Sequence, residues 1–196
     1  LEPLRGARAL SESASQRAGL LGRVPCTTDD EWRDGDGTVW AGVRDHGLWT
    51  IAAGRVAPAA PSLGIPDASI NTIVQGRQGT LWVGTRQGLV RRDRDGRWHR
   101  FTRADGLPGD TIYGIVEDDL EHLWLTSTSG IFRVNTTRLA QRARGDAVAL
   151  DAEVFNRDDG MKVSETTGGG HPSALRARTG ALWIPTPRGV VVLDAA

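Results

Sequence analysis

The densest run of groups able to move protons or hold a cation is Glu117-Asp118-Asp119, since neighbouring carboxylates can share a proton or converge on one metal ion. Asp29, Asp30, Asp34 and Asp36 raise the same question near the N-terminus. Calcium ligation would require several of these oxygens to converge, and spacing along the chain does not supply that. The four histidines, His46, His99, His122 and His171, are scattered and show no H-x-x-x-H spacing, so they do not form a zinc motif. Gly168-Gly169-Gly170 has no Lys-Ser/Thr after it and opens no helix, so it reads as a connector and not as a phosphate cradle. The single cysteine, Cys26, can form neither an internal disulfide nor a multi-cysteine metal site. Asn135-Thr136-Thr137 fits the glycosylation pattern, a short motif that carries little weight alone. No Ser-His-Asp or Cys-His order stands out. The reading therefore assigns no catalytic residue, no metal and no cofactor.

Positioning any site requires a scaffold, and the composition points to strands. The chain has 196 residues, 39% of them hydrophobic and 24% charged, which is enough apolar material for one ordinary core. Its 24 Lys and Arg balance its 24 Asp and Glu, so no overall field favours nucleic acid or an anionic membrane. Twenty-five glycines, 7 tryptophans and abundant Val, Ile and Thr suit short strands joined by tight turns.

An internal repeat specifies the class further. Gly79-Thr80-Leu81-Trp82-Val83-Gly84-Thr85 recurs as Gly37-Thr38-Val39-Trp40-Ala41-Gly42, Glu121-His122-Leu123-Trp124-Leu125-Thr126 and Gly180-Ala181-Leu182-Trp183-Ile184-Pro185. Trp40, Trp82 and Trp124 follow one another at equal steps of 42 residues, whereas Trp183 comes 59 residues after Trp124. The excess is an insertion at about 135–150, expected as a short helix or a long surface loop. A 42-residue period without helical periodicity is the length of a propeller blade, a four-stranded antiparallel sheet. In the second copy the strands are expected at Ile70–Val74, Thr80–Thr85, Leu89–Asp93 and His99–Thr102.

Each signature residue has a physical task. Trp40, Trp82, Trp124 and Trp183 fill the space between wedge-shaped blades. Gly84 removes a side chain where neighbouring sheets approach. Gly88, Gly130 and Gly189 stand six residues after their tryptophans and suit the positive φ of a short hairpin; Gly47 stands seven after Trp40, implying one extra turn residue. Asp105-Gly106-Leu107-Pro108, echoed by Leu63-Gly64-Ile65-Pro66 and Asp159-Gly160-Met161, combines turn formers with an apolar residue that can pin the segment crossing between blades.

With these elements assembled, the chain resembles the two-component regulator propeller repeat, whose blades read roughly D-x-x-G-x-L-W-x-G-T-x-x-G-L followed by F-x-x-x-D-G-L-P. The second copy matches best, through Phe101 and Asp105-Gly106-Leu107-Pro108. Glu121-His122, Thr126 and Pro185 depart from the pattern. The resemblance implies an all-β architecture with four to five blades present, a fragment of a larger propeller. Residues 1–33 are expected as a degenerate partial blade or irregular segment and 34–196 as blades. In this repeat the acidic residues end the first strand and cap the turn before the tryptophan strand, which is the expectation for Glu117-Asp118-Asp119.

The resemblance also implies a function: the non-catalytic, ligand-sensing region of a periplasmic bacterial sensor, relaying binding or dimer rearrangement to a kinase or cyclase output domain outside this sequence. Implied partners are a small molecule or oligosaccharide and a second copy in a homodimer, with no nucleic acid and with membrane contact only through segments outside the sequence. Propellers bind where loops from several blades converge, so Arg86, Arg188, Glu165 and His171, in hairpin turns or in the connector to the last blade, are the expected ligand-binding residues; surface solubility is the plainer role for each. The alternatives are a structural or dimerisation propeller, and a propeller hydrolase or lyase with histidine and carboxylate side chains near the axis.

Overall fold

The computed structural model describes residues 28–43, 46–59, 70–168 and 172–194. Four antiparallel sheets follow one another along the chain. The first contains β1 (Thr28–Arg33), β2 (Val39–Val43), β3 (Gly47–Ala52) and β4 (Arg55–Pro58); the second, β5 (Ile70–Gln75), β6 (Leu81–Thr85), β7 (Gly88–Arg92) and β8 (Trp98–Phe101). The third contains β9 (Gly114–Glu117), β10 (His122–Thr126), β11 (Ile131–Asn135) and β12 (Glu153–Phe155), and the fourth β13 (Leu175–Arg176), β14 (Leu182–Thr186) and β15 (Gly189–Leu193). Strand order within every sheet is sequential, as four consecutive hairpin-joined strands require, so each repeat is one blade. Among the described residues the fourth blade has three strands.

One boundary shifts from the sequence reading. The first blade begins at Thr28, because β1 pairs with β2 over Thr28–Arg33, so these six residues belong with the blade that follows and not with the N-terminal segment. The insertion contains a helix, α1 (Thr136–Ala143), set between β11 and β12 and capped by Asn135, whose side-chain oxygen accepts from the N–H groups of Thr137 and Arg138. Leu139 of α1 and Leu150 beyond it are buried in the cluster that holds Phe101, Leu107 and Phe132, so the insertion seals the seam between the second and third blades.

The repeated tryptophans are covered by the blade that follows each of them. Trp40 packs with Ile70, Ile73, Leu81, Val83 and Val90 of the second blade. Trp82 packs with Ile115, Leu123, Leu125 and Phe132 of the third, and Trp124 with Met161, Leu182 and Ile184 leading into and within the fourth. Their exposures are 6%, 2% and 2%, whereas Trp183 is 48% exposed beside Leu175, Val190 and Val192. Trp183 thus departs from the buried role expected of it, because no further sheet among the described residues covers the outer face of the fourth blade.

Turn chemistry is as the spacing required. Gly88 has φ 127° and a Cβ there would lie 2.3 Å from the Phe101 carbonyl oxygen, so no other residue fits the hairpin without moving backbone. Val43 pairs with Gly47 where Thr85 pairs with Gly88, which places the extra turn residue in the first blade. Leu107 and Met161 are buried, and their N–H groups donate to Thr102 and Asn156, the residues that open the two Asp-Gly turns.

Candidate functional site

Consecutive strands of a blade run in opposite directions, so the second-to-third-strand turns and the connectors between blades fall at one end of the sheets, and the remaining turns at the other. Arg86 in the β6–β7 turn, Arg188 in the β14–β15 turn and Glu165 in the β12–β13 connector therefore share one end, and all three are exposed. No hydrogen bond or ion pair joins any of these three to another. His171 lies outside the described residues.

This end is held by hydroxyl groups that the sequence reading missed. Thr85 Oγ1, Ser127 Oγ and Thr186 Oγ1 each donate to the carbonyl oxygen of the turn glycine three residues on, Gly88, Gly130 and Gly189, at 2.9 Å. The same oxygens accept from the N–H groups of Gln87 (2.9 Å), Ser129 (3.0 Å) and Arg188 (3.3 Å). A hydroxyl three residues before the turn glycine in three copies was the available signal. The connector is stitched in by Thr166, whose N–H and Oγ1 both donate to the Ser127 carbonyl, and by the Thr167 N–H, which donates to Pro185 O at 2.9 Å. Glu165 is thereby fixed next to the third- and fourth-blade turns. Gly168 passes beneath Tyr113, where a Cβ would lie 2.3 Å from the ring. That contact gives Gly168 a packing role.

At the opposite end the three carboxylates of Glu117-Asp118-Asp119 are parted. Buried Asp118 accepts from Leu120 N (2.8 Å), His122 N (2.9 Å) and Trp124 Nε1 (2.8 Å). Burial alone would raise its pKa, but these hydrogen bonds, with a smaller contribution from the charge of His122, outweigh it and hold the carboxyl below its ordinary value. Asp34 repeats the arrangement in the first blade, accepting from Thr38 N and Trp40 Nε1, each at 2.9 Å. The turn-capping role is therefore met, and Asp118 as an ionised acceptor is unsuited to act as a general acid. Glu117 accepts from the Arg77 N–H at 2.7 Å. Exposed Asp119 pairs with both Arg77 and Arg176. Of the histidines, His122 Nδ1 lies 3.4 Å from Asp118 and His99 Nε2 3.3 Å from Asp93, while His46 is exposed. Among the described residues no group of three His, Cys, Asp or Glu side chains converges as metal ligands would. No helix among them is long and apolar enough to cross a membrane.

Residues 64–87 match the family model described as two component regulator propeller. No curated protein matches the sequence significantly. The chain is similar in structure to the extracellular domain of a hybrid two component system from B. thetaiotaomicron, with TM-score 0.67 and 18% identity, covering 84% of this chain and 21% of that one. It is also similar to virginiamycin B lyase from Staphylococcus aureus (TM-score 0.56, 17% identity, covering 84% and 54%). A gluconolactonase from Xanthomonas campestris gives TM-score 0.59 at 17% identity, covering 86% and 58%. At these identities the likeness is one of fold. The chain spans about a fifth of the length of that extracellular domain. The blades are β-propeller blades.

Proposed function

We propose that this chain, a two-component regulator propeller by its repeat, is a non-catalytic, ligand-sensing region of a periplasmic bacterial sensor. One observation carries the reading. The exposed charged residues Arg86, Arg188 and Glu165 stand at one end of the blades on turns made rigid by Thr85, Ser127, Thr186 and Thr166, whereas the buried carboxylate Asp118 is occupied by structural hydrogen bonds. Such an end can hold a ligand, and among the described residues it presents no activated nucleophile or general acid. The ligand class is a small molecule or oligosaccharide, and the signal passes on only if the ligand binds two sensor states with different affinity.

The test is thermal unfolding of the chain with oligosaccharides, nucleotides and peptides in excess. A ligand at about 100 times its dissociation constant adds about 2.7 kcal/mol of stability. A reproducible rise for one class supports sensing and identifies the input; turnover of any compound overturns the non-enzymatic reading.

A second reading, a structural or dimerisation propeller, draws on the exposed apolar row Leu175, Trp183, Val190 and Val192. No ligand response together with self-association through that row would favour it.

A further inference from the structure

At the end of the blades away from Arg86 and Arg188, two arginines from different blades converge on one carboxylate. Arg77 follows β5 in the second blade, Arg176 ends β13 in the fourth, and Asp119 stands on the β9–β10 turn of the blade between them. One Asp119 oxygen faces the Arg77 guanidinium and the other faces that of Arg176. Ninety-nine residues separate the arginines in sequence, so the blade arrangement creates their convergence.

The pairing in this cluster is uneven. Each guanidinium carries five N–H donors, and each meets Asp119 through a single oxygen. Arg176 Nε is buried without a hydrogen-bond partner. The Arg77 backbone is fixed by the bond from its N–H to Glu117, so this arginine is anchored at its base while its side chain stays exposed. Asp119 is itself exposed on a turn and free of the hydrogen bonds that lock Asp118. Two cations thus share one displaceable anion, and with the Glu117 carboxylate held on the Arg77 N–H the charges balance, leaving unused guanidinium donors in a geometry that already accepts a bridging carboxylate.

We infer that Arg77 and Arg176 form a binding site for the carboxylate of an acidic saccharide, with Asp119 as an internal placeholder that the ligand displaces. Arginine forks match planar carboxylates with two parallel hydrogen bonds, which a ligand free to choose its approach can make and the tethered Asp119 does not. This inference rests on the ligand-binding reading above. It adds a ligand chemistry and places the contact at the opposite mouth of the blades.

Calorimetric titration with trigalacturonate, and with maltotriose as the neutral counterpart, tests it on the chain and on four variants. Trigalacturonate is expected to bind the unaltered chain and to bind Asp119→Asn about fivefold more tightly, the size of a released exposed ion pair. Arg77→Gln and Arg176→Gln are expected to weaken it about tenfold each. Arg77→Lys, which keeps the charge and the pairing with Asp119 but loses the fork, is expected to bind as weakly as Arg77→Gln; near-UV dichroism of the tryptophans checks that each variant is folded. Equal or weaker binding to Asp119→Asn, or unchanged binding to the arginine variants, overturns the inference and leaves the cluster as a clamp between blades. Binding of maltotriose without trigalacturonate defeats the acidic site and leaves the broader reading standing, whereas silence from both saccharides across all five proteins counts against both.

Discussion

Thr126 stands directly opposite Gly114 on the neighbouring strand, and one blade earlier the pair is reversed, with Gly84 opposite Thr72. The volume at this place is conserved while the strand supplying it changes. A Cβ on Gly84 would lie 2.7 Å from Thr72 Cγ2, and one on Gly114 would lie 2.9 Å from Thr126 Oγ1 and 2.7 Å from Ser173 Oγ. The departure of Thr126 from the repeat pattern is therefore compensated across the sheet.

Gly114→Ala should destabilise the chain by about 1–3 kcal/mol through overpacking, since the Ser173 backbone carbon also lies 3.2 Å from the added atom. Combined with Thr126→Gly, it should show a coupling of at least about 0.5 kcal/mol in a urea-denaturation cycle. Additive effects would mean the two positions do not share volume.

Asp118→Asn should cost about 2 kcal/mol, because an amide cannot accept from Leu120 N, His122 N and Trp124 Nε1 without turning its own N–H₂ toward a donor. The folded pKa of Asp118 lies below the ordinary carboxylate value, so the unfolded chain takes up the proton first as acid is added. Its contribution to stability is therefore complete above about pH 5 and declines as the pH falls through the folded value. Urea midpoints at pH 5 and pH 3 should differ more for the unaltered chain than for Asp118→Asn. Parallel acid profiles would refute this assignment.

Thr85→Val should cost about 1 kcal/mol or more by orphaning the Gln87 N–H, and Thr186→Val appreciably less. Thr85 is fully buried, whereas water reaches the Thr186 turn and can replace the lost bonds. Equal losses in thermal melts would contradict the distinction.

The row formed by Leu175, Trp183, Val190 and Val192 should make the isolated chain self-associate. Sedimentation at increasing concentration should show association that Val190→Lys with Val192→Lys abolishes. A chain that remains monomeric throughout the concentration series would refute this expectation.

Architecture was legible in the sequence wherever it depended on spacing. Two equal steps between tryptophans and a constant interval to the turn glycines define blades, because both express one sheet geometry repeated. The limits of the first blade were not, since β1 is recognisable only from its pairing with β2. Nor was the coverage of Trp183 legible, because burial depends on a neighbouring sheet and the local motif is unchanged. The candidate site was read least well. Arg86, Arg188 and Glu165 do share one end of the blades, as turn positions can, but the convergence of Arg77 and Arg176 on Asp119 joins residues too far apart for any local pattern to reveal.

Burial of each tryptophan by the following blade gives the array a direction. In nearest-neighbour terms each interface stabilises both blades it joins, and of the two end blades the fourth, with three strands among the described residues and Trp183 exposed, is held less firmly, so opening should begin at β13–β15 and progress toward lower residue numbers. Amide protons of Val190–Val192 would then exchange before those of Leu123–Leu125, and a partner that covers Trp183 would slow exchange in blades it never touches.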